Sequence, residues 1–366
     1  MDVALIALVV LWWALIVYAV LGGADFGAGV WDLFAVGPLA DRQHKLINHA
    51  LGPVWEANHV WLIFLIVGLF NIFPVPFAAL SIALFLPFTI VLVGIVLRGS
   101  AFIFRYYAPE ALNRFARWWG RVFSATSLIT PFFLGISAAA VASEKLVAPD
   151  GTARADLFAS WTSPFALTIG SMAVSLCATI AAVYLTVEAR DTEHDEELAE
   201  AYRLKALIAG AVTAVLGALG LALSSVESRL LWQGMLAHGL PVVIATMLIG
   251  LATAFTLYSR RYRLARILII AETAFMLGAW GLAQYPYIIP PHYTIANSAN
   301  NPTVITTLLI GLACGMVIVL PSLYYLFSVF KLPYPVPGLR RKAAEQDKQS
   351  GEEEKEQVQQ GVTIGS

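Results

Sequence analysis

The segment that decides the fold is VALIALVVLWWALIVYAVLGGA, residues 3–24, in which no side chain carries a charge. As an α-helix this segment would extend about 33 Å, enough to cross a hydrocarbon core of about 30 Å. Similar apolar segments recur, and we predict spanning helices over residues 3–24, 50–70, 76–98, 118–142, 161–187, 205–225, 237–258, 264–285 and 303–330. The sequence therefore predicts an all-α, polytopic membrane helix bundle of about nine transmembrane helices, arranged as two four-helix bundles plus one helix.

The composition excludes a soluble domain. Hydrophobic residues make up 59% of the chain, charged residues only 13%, and the mean hydropathy is +0.74, whereas soluble domains carry about 25% charged residues. No basic cluster is present, so we expect a lipid bilayer and no nucleic acid as partner. Cys177 and Cys314 lie in apolar segments without metal-ligand spacing, and we predict no metal site.

Charge asymmetry predicts the orientation. Of the 23 Lys and Arg residues, 20 fall on alternate connections and the C-terminal segment, and only Lys145, Arg154 and Arg229 fall on the other side. Positively charged connections face the cytoplasm, so we predict a multi-pass inner-membrane protein with a periplasmic N-terminus. Residues 1–332 form the membrane domain, and residues 333–366, rich in Glu, Lys and Gln without apolar periodicity, form a disordered cytoplasmic tail.

Acidic residues within apolar helices are costly, by ~2.5–3.5 kcal/mol on insertion scales, so each needs a reason. Asp25 follows the predicted end of the first helix, near the cytoplasmic interface, where it either serves proton transfer or merely ends the helix. Glu272 falls near the middle of the predicted helix 264–285, apart from any obvious partner except Thr273. For Glu272, a role in proton transfer and a purely structural role both stay open.

A second acid, Glu56, precedes His59 by three residues, which places both on one helix face within hydrogen-bonding reach. Two titratable groups on the same side of the membrane as Asp25 favour a proton-conducting path, although the pair could instead only fix helix packing. We predict a proton pathway that uses Asp25, Glu56, His59 and Glu272, and no catalytic residue. Because no two histidines fall at a common depth, we predict no haem bound by this chain alone.

Four segments carry a family resemblance: GADFGAG (23–29), WEANHVWL (55–62), LRGSAF (97–102) and YPYIIPP (285–291). With them the chain resembles subunit II of cytochrome bd-type quinol oxidases, including the cyanide-insensitive branch. The motif and helix-packing residues that we single out are Gly23, Gly27, Trp55, Asn58, Trp61 and Arg98. Glycines four apart on a helix also permit close approach by a neighbouring helix.

The resemblance implies an accessory subunit of a terminal respiratory oxidase that oxidises quinol and reduces dioxygen to water. It places haems b and d in the partner, subunit I, which this subunit supports, and it matches Asp25 and Glu56 to acidic positions proposed for uptake of cytoplasmic protons. A bound quinone and a small single-helix subunit stay open.

Two departures from the family pattern concern the same path. Many relatives carry a second acid where this chain has Leu21-Gly22, and an acid where it has Ile103. These losses shift the expected proton path toward Glu56 and His59.

Two competing classes of function are a proton-coupled transporter and a purely structural membrane scaffold. A transporter would favour broken helices in paired repeats. Prolines 87, 131 and 321 interrupt predicted helices, but the sequence shows no paired repeat.

Overall fold

The computed structural model describes residues 2–51, 55–106, 113–148, 151–153, 158 and 161–330. The helices are α1 (Val3–Leu33), α2 (Ala40–Leu51), α3 (Trp55–Ile72), α4 (Pro74–Ala83), α5 (Phe85–Tyr106), α6 (Asn113–Ala142), α7 (Pro164–Asp191), α8 (Glu196–Glu227), α9 (Arg229–Gly234), α10 (Leu240–Tyr258), α11 (Tyr262–Gln284), α12 (Ile295–Ser298) and α13 (Pro302–Phe330). A π-helical turn, Met235–Gly239, joins α9 to α10, and a two-stranded antiparallel sheet pairs β1 (Tyr287–Ile289) with β2 (Tyr293–Thr294). The predicted tail, residues 333–366, lies outside the described residues.

The helices confirm a polytopic helical membrane protein. Among the described residues, eight helical segments are long and apolar enough to cross a membrane, and a ninth is counted if the bent pair α3–α4 is one span. The bend between them is 119° and falls where Pro74 begins α4. Proline is favoured at the first position of a helix because its missing N–H is not needed there.

Helix α1 is longer than predicted. Its N-terminus is capped by Asp2, whose carboxylate accepts a hydrogen bond from the Ala4 N–H at 3.2 Å, and it continues through the glycines to Leu33. The predicted end at residue 24 was wrong, because glycine lowers helix propensity by only about 1 kcal/mol and close packing against α7 outweighs that cost. Asp25 therefore lies within the helix and does not end it.

Helix α7 is the most enclosed of the spanning helices and packs against α1, α6, α8 and α11. Its close approach to α1 depends on Gly27, since a Cβ there would overlap the Cys177 carbonyl oxygen. Gly23, one turn earlier, faces the same neighbour, and a Cβ there would lie 3.0 Å from Ile180 Cδ1. Small residues at these positions let the two backbones meet, as in other membrane helix pairs.

The short helix α2 lies at the end of the bundle where α1 finishes, which we call the α2 end. Its apolar side is buried through Leu46 and Ile47. Its polar side contacts the start of α8, where Arg42 forms ion pairs with Asp195 and Glu197.

The chain divides into two compact units, residues 1–306 and 307–366. The described part of the second unit is the continuation of α13, residues 307–330, in which no side chain is charged.

Candidate proton-transfer site

The buried site centres on an ion pair between α1 and α5. Arg98 Nη2 donates to Asp25 Oδ1 at 2.7 Å and to the Asp25 carbonyl oxygen at 3.0 Å. Both side chains are only 1% exposed. Removing two charges from water costs several kcal/mol per ion, which is recovered only when geometry and additional hydrogen bonds are good.

Helices α1 and α6 supply those additional contacts to Arg98. Its Nε donates to Ser127 Oγ at 3.0 Å, and its guanidinium lies over the rings of Phe26 and Phe123, at 5.1 and 4.7 Å. An arginine held between aromatic faces is stabilised by cation–π attraction. We call Asp25, Arg98 and Ser127 the Asp25 layer.

Three polar atoms around this layer are buried with no hydrogen-bond partner among the described residues. They are Asp25 Oδ2, His59 Nδ1 and Tyr18 Oη. The His59 ring stacks on Phe26 at 6.2 Å and meets the Tyr18 ring edge-on at 6.5 Å. Buried polar groups normally bond to protein or ordered water, so this cluster is suited to water or to a migrating proton.

Sequence analysis missed a second buried acid, Asp32. Arg105 binds its carboxylate with two hydrogen bonds, of 2.7 and 3.0 Å, and Ser124 Oγ donates to it at 2.8 Å. His44 Nδ1 of α2 lies 2.7 Å from Asp32 Oδ1. We call these four residues the Asp32 layer. In the sequence, Asp32 follows Asp25 by seven residues and Arg105 follows Arg98 by seven. This repeat indicates a second pair only because α1 and α5 extend beyond their predicted ends.

The predicted motif of α3 is only partly within the described structure. The helix begins at Trp55 and includes Glu56, but the side chains of both lie outside the described residues, so the pairing of Glu56 with His59 stays a prediction. Asn58 is buried, and Trp61 packs against the apolar cluster around Tyr18.

Glu272 is not part of either layer. Its carboxylate accepts a hydrogen bond from Thr253 Oγ1 of α10 at 3.2 Å. A Cβ on Gly250 of α10 would lie 2.9 Å from Glu272 Oε1, so the acid packs closely between α10 and α11. The structure thus brings Asp25, His59 and Arg98 together and places Glu272 elsewhere.

Comparison with known proteins identifies the family. The family model described as cytochrome bd terminal oxidase subunit II matches residues 3–330. The putative cytochrome bd menaquinol oxidase subunit II of Bacillus subtilis (strain 168) is 24% identical over 335 residues, covering 89% of this chain and 95% of that protein. Cytochrome bd ubiquinol oxidase subunit 2 of the same organism is 35% identical over 131 residues, covering 34% of this chain and 38% of that protein.

A solved structure agrees in fold. A chain in the structure of bd oxidase from Geobacillus thermodenitrificans matches with a TM-score of 0.73 and 24% identity, covering 91% of this chain and 100% of that one. Subunit II is part of a quinol oxidase, an oxidoreductase of the respiratory chain that contains haem. This 366-residue membrane protein belongs to the cytochrome bd terminal oxidase subunit II family.

Proposed function

We propose that this subunit carries protons from the cytoplasm toward the haem-bearing subunit I, through the buried cluster of Asp25, His59 and Arg98. The observation that carries the proposal is the carboxylate oxygen Asp25 Oδ2 of α1, which is buried in the bundle and has no hydrogen-bond partner within the described residues. A charged acid in a spanning helix is costly, and Asp25 directs one oxygen to Arg98 and leaves the other able to accept a proton or a water.

The direction of proton flow follows from the orientation. The α2 end carries most of the Lys and Arg residues, so we assign it to the cytoplasm and the sheet β1–β2 to the periplasm. The chain is then a multi-pass protein of the inner membrane with its N-terminus outside and its C-terminus inside.

We assign haem to subunit I and not to this chain. A haem ligand needs an imidazole nitrogen that faces a volume able to hold the porphyrin. The imidazole of His59 instead packs against the rings of Tyr18 and Phe26, and His44 is bound to Asp32. The surroundings of His44 and His59 therefore do not fit a haem. A bound quinone and a small single-helix subunit stay predictions.

The family match does not favour a proton-coupled transporter. A purely structural role for the acids is the alternative that an experiment must exclude.

The test is quinol-driven oxygen consumption by the purified oxidase carrying Glu56→Gln or Asp25→Asn. Asp25→Asn removes the acid of the buried cluster, and Glu56→Gln removes the acid that sequence analysis predicts in the same pathway. We expect turnover to fall about tenfold or more in each, equivalent to about 1.4 kcal/mol in the barrier. The effect of Asp25→Asn should be this large because its side chain is only 1% exposed, so bulk water cannot replace it. Haem content, read from the optical spectrum, should not change.

A matched control is Glu227→Gln. Glu227 binds Lys145 at 3.2 Å at the opposite end of the bundle from α2, so this change should leave turnover unchanged. Parent-like turnover in both test variants would reduce the subunit to a scaffold. Loss of haem would instead assign these acids to assembly.

A further inference from the structure

The Asp32 layer repeats the Asp25 layer two helical turns nearer the α2 end. The aspartates of α1 and the arginines of α5 are each seven residues apart, and the α6 serines are three apart in the reverse direction. Seven residues correspond to about 10.5 Å along a helix and return to nearly the same face. Two acid–arginine–serine layers are therefore stacked along one side of α1.

The two layers differ in their access to water. The Asp25 and Arg98 side chains are both 1% exposed. The Asp32 side chain is 3% exposed, but the His44 side chain bonded to it is 36% exposed. His44 thus connects a buried carboxylate to the aqueous surface at the α2 end.

The contact between His44 and Asp32 suits proton transfer. With Asp32 ionised beside Arg105, His44 Nδ1–H donates to Asp32 Oδ1, which leaves Nε2 as the acceptor of the neutral ring. When Nε2 takes a proton from water, the Nδ1 proton can pass to Asp32. The two ring nitrogens of one imidazole thus accept a proton on one side and release one on the other.

The space between the layers is asymmetric. The Phe123 ring contacts both guanidinium groups, with its centroid 4.7 Å from Arg98 Cζ and 5.9 Å from Arg105 Cζ, so an apolar ring packs against both layers on the side of α5. On the α1 side stands Gly29, where a Cβ would overlap Ser127 Oγ. The hydroxyl of Ser127 therefore reaches the α1 backbone between the two aspartates, which provides a polar step on that side.

We propose that the Asp32 layer is the proton-uptake station of this subunit. His44 takes a proton from the cytoplasm and hands it to Asp32, from which it passes along the Gly29 side of α1 to Asp25. The inference rests on the proposed function of Asp25, since it names the residues that supply it. Among the described residues, the charged and titratable groups near this station include Arg105 of α5, which binds Asp32, and Tyr202 of α8. They also include Lys205 of α8, whose ammonium lies 4.7 Å from the Tyr202 ring and donates to Gln43, the neighbour of His44.

The experiment measures quinol-driven oxygen consumption and haem content of the purified oxidase, with and without added imidazole. His44→Ala should lower turnover about threefold or more, because the ring that relays protons to Asp32 is lost. Added imidazole should restore turnover, because a diffusible base can replace the missing ring, whereas it would not repair a purely structural loss. The control is Asp195→Asn at the same end, whose turnover and haem content should equal those of the parent enzyme.

Asp32→Asn alone leaves the buried charge of Arg105 without its partner, so the decisive variant is Asp32→Asn/Arg105→Gln. We expect about a tenfold loss of turnover with haem retained. If that variant loses haem, His44→Ala, which leaves the ion pair intact, decides the question. If His44→Ala and Asp32→Asn/Arg105→Gln both turn over as fast as Asp195→Asn while Asp25→Asn is slow, the uptake station is refuted and the proposed function is not. Parent-like turnover in Asp25→Asn would instead refute the proposed function itself.

Discussion

The buried pair of Asp25 and Arg98 allows a quantitative test by a double-mutant cycle. At 2.7 Å and an effective dielectric constant of about 20, two unit charges attract by about 6 kcal/mol. Desolvation of both groups offsets most of that attraction, so the net value of the pair is small. Removing one partner, however, leaves an uncompensated buried charge and costs about 3–5 kcal/mol.

The cycle comprises Asp25→Leu, Arg98→Met and the double variant. Asp25→Leu should be the milder single change, because Arg98 keeps its hydrogen bond to Ser127 and its contacts with two aromatic rings. The double variant places apolar side chains of similar size in the core and should lie within about 2 kcal/mol of the parent. We therefore expect a coupling free energy of at least about 3 kcal/mol between the two positions.

The assay is detergent-induced unfolding of the purified oxidase followed by circular dichroism, with all four proteins measured in parallel. The matched control is the cycle for Asp191 and Arg263, which are 2.8 Å apart but 32% and 80% exposed. Surface pairs of this kind contribute about 0.2–1 kcal/mol, so the control coupling should be several times smaller. A double variant no more stable than the less stable of the two single variants would refute the assignment of Asp25 and Arg98 as a mutually compensating pair.

Two further predictions concern packing and pH. Gly27→Ala places a Cβ against the Cys177 carbonyl oxygen and should destabilise the protein by about 1–3 kcal/mol through overpacking. Gly278→Ala is the control, because a Cβ there has open space around it, and it should not destabilise the protein. Equal thermal midpoints for the two variants would contradict the close α1–α7 contact. Burial raises the pKa of Asp195, but hydrogen bonds from Arg42 more than offset this and hold that pKa below its ordinary value. The pair therefore stabilises the protein above the unfolded pKa of about 3.9, and the stabilisation is lost as pH falls through the lower folded pKa. The midpoint difference between the parent and Asp195→Asn should be present at pH 7 and shrink in acid, and a difference independent of pH would contradict it.

The membrane character and the family could be predicted from the sequence. Both depend on local properties: the length of uncharged segments, such as residues 3–24, and the order of short motifs such as WEANHVWL at 55–62. Hydrocarbon cannot bond to a peptide group, so a long apolar segment has little choice but to form a helix. The acid Asp25 could be singled out for the same reason, because a charge in such a segment needs an explanation.

Helix ends were harder to predict than helix identity. The glycines before Asp25 and the position of Arg98 suggested ends that tertiary packing overrides, since α1 continues to Leu33 and α5 to Tyr106. Those extra turns bring Asp32 into the bundle. A residue that appeared to belong to a connection is therefore buried and bonded.

The sequence by itself determined that the chain crosses a membrane many times, which oxidase subunit family it belongs to, and that an acid on α1 needs a partner. Only the tertiary structure decided which partner that is, since Asp25 and Arg98 are 73 residues apart in the chain. It also separated Glu272 on α11 from the acids of α1 and revealed the second layer at Asp32. The physical reason is that a buried charge is satisfied by whichever side chain long-range helix packing brings within about 3 Å, and no local pattern in the sequence encodes that distance.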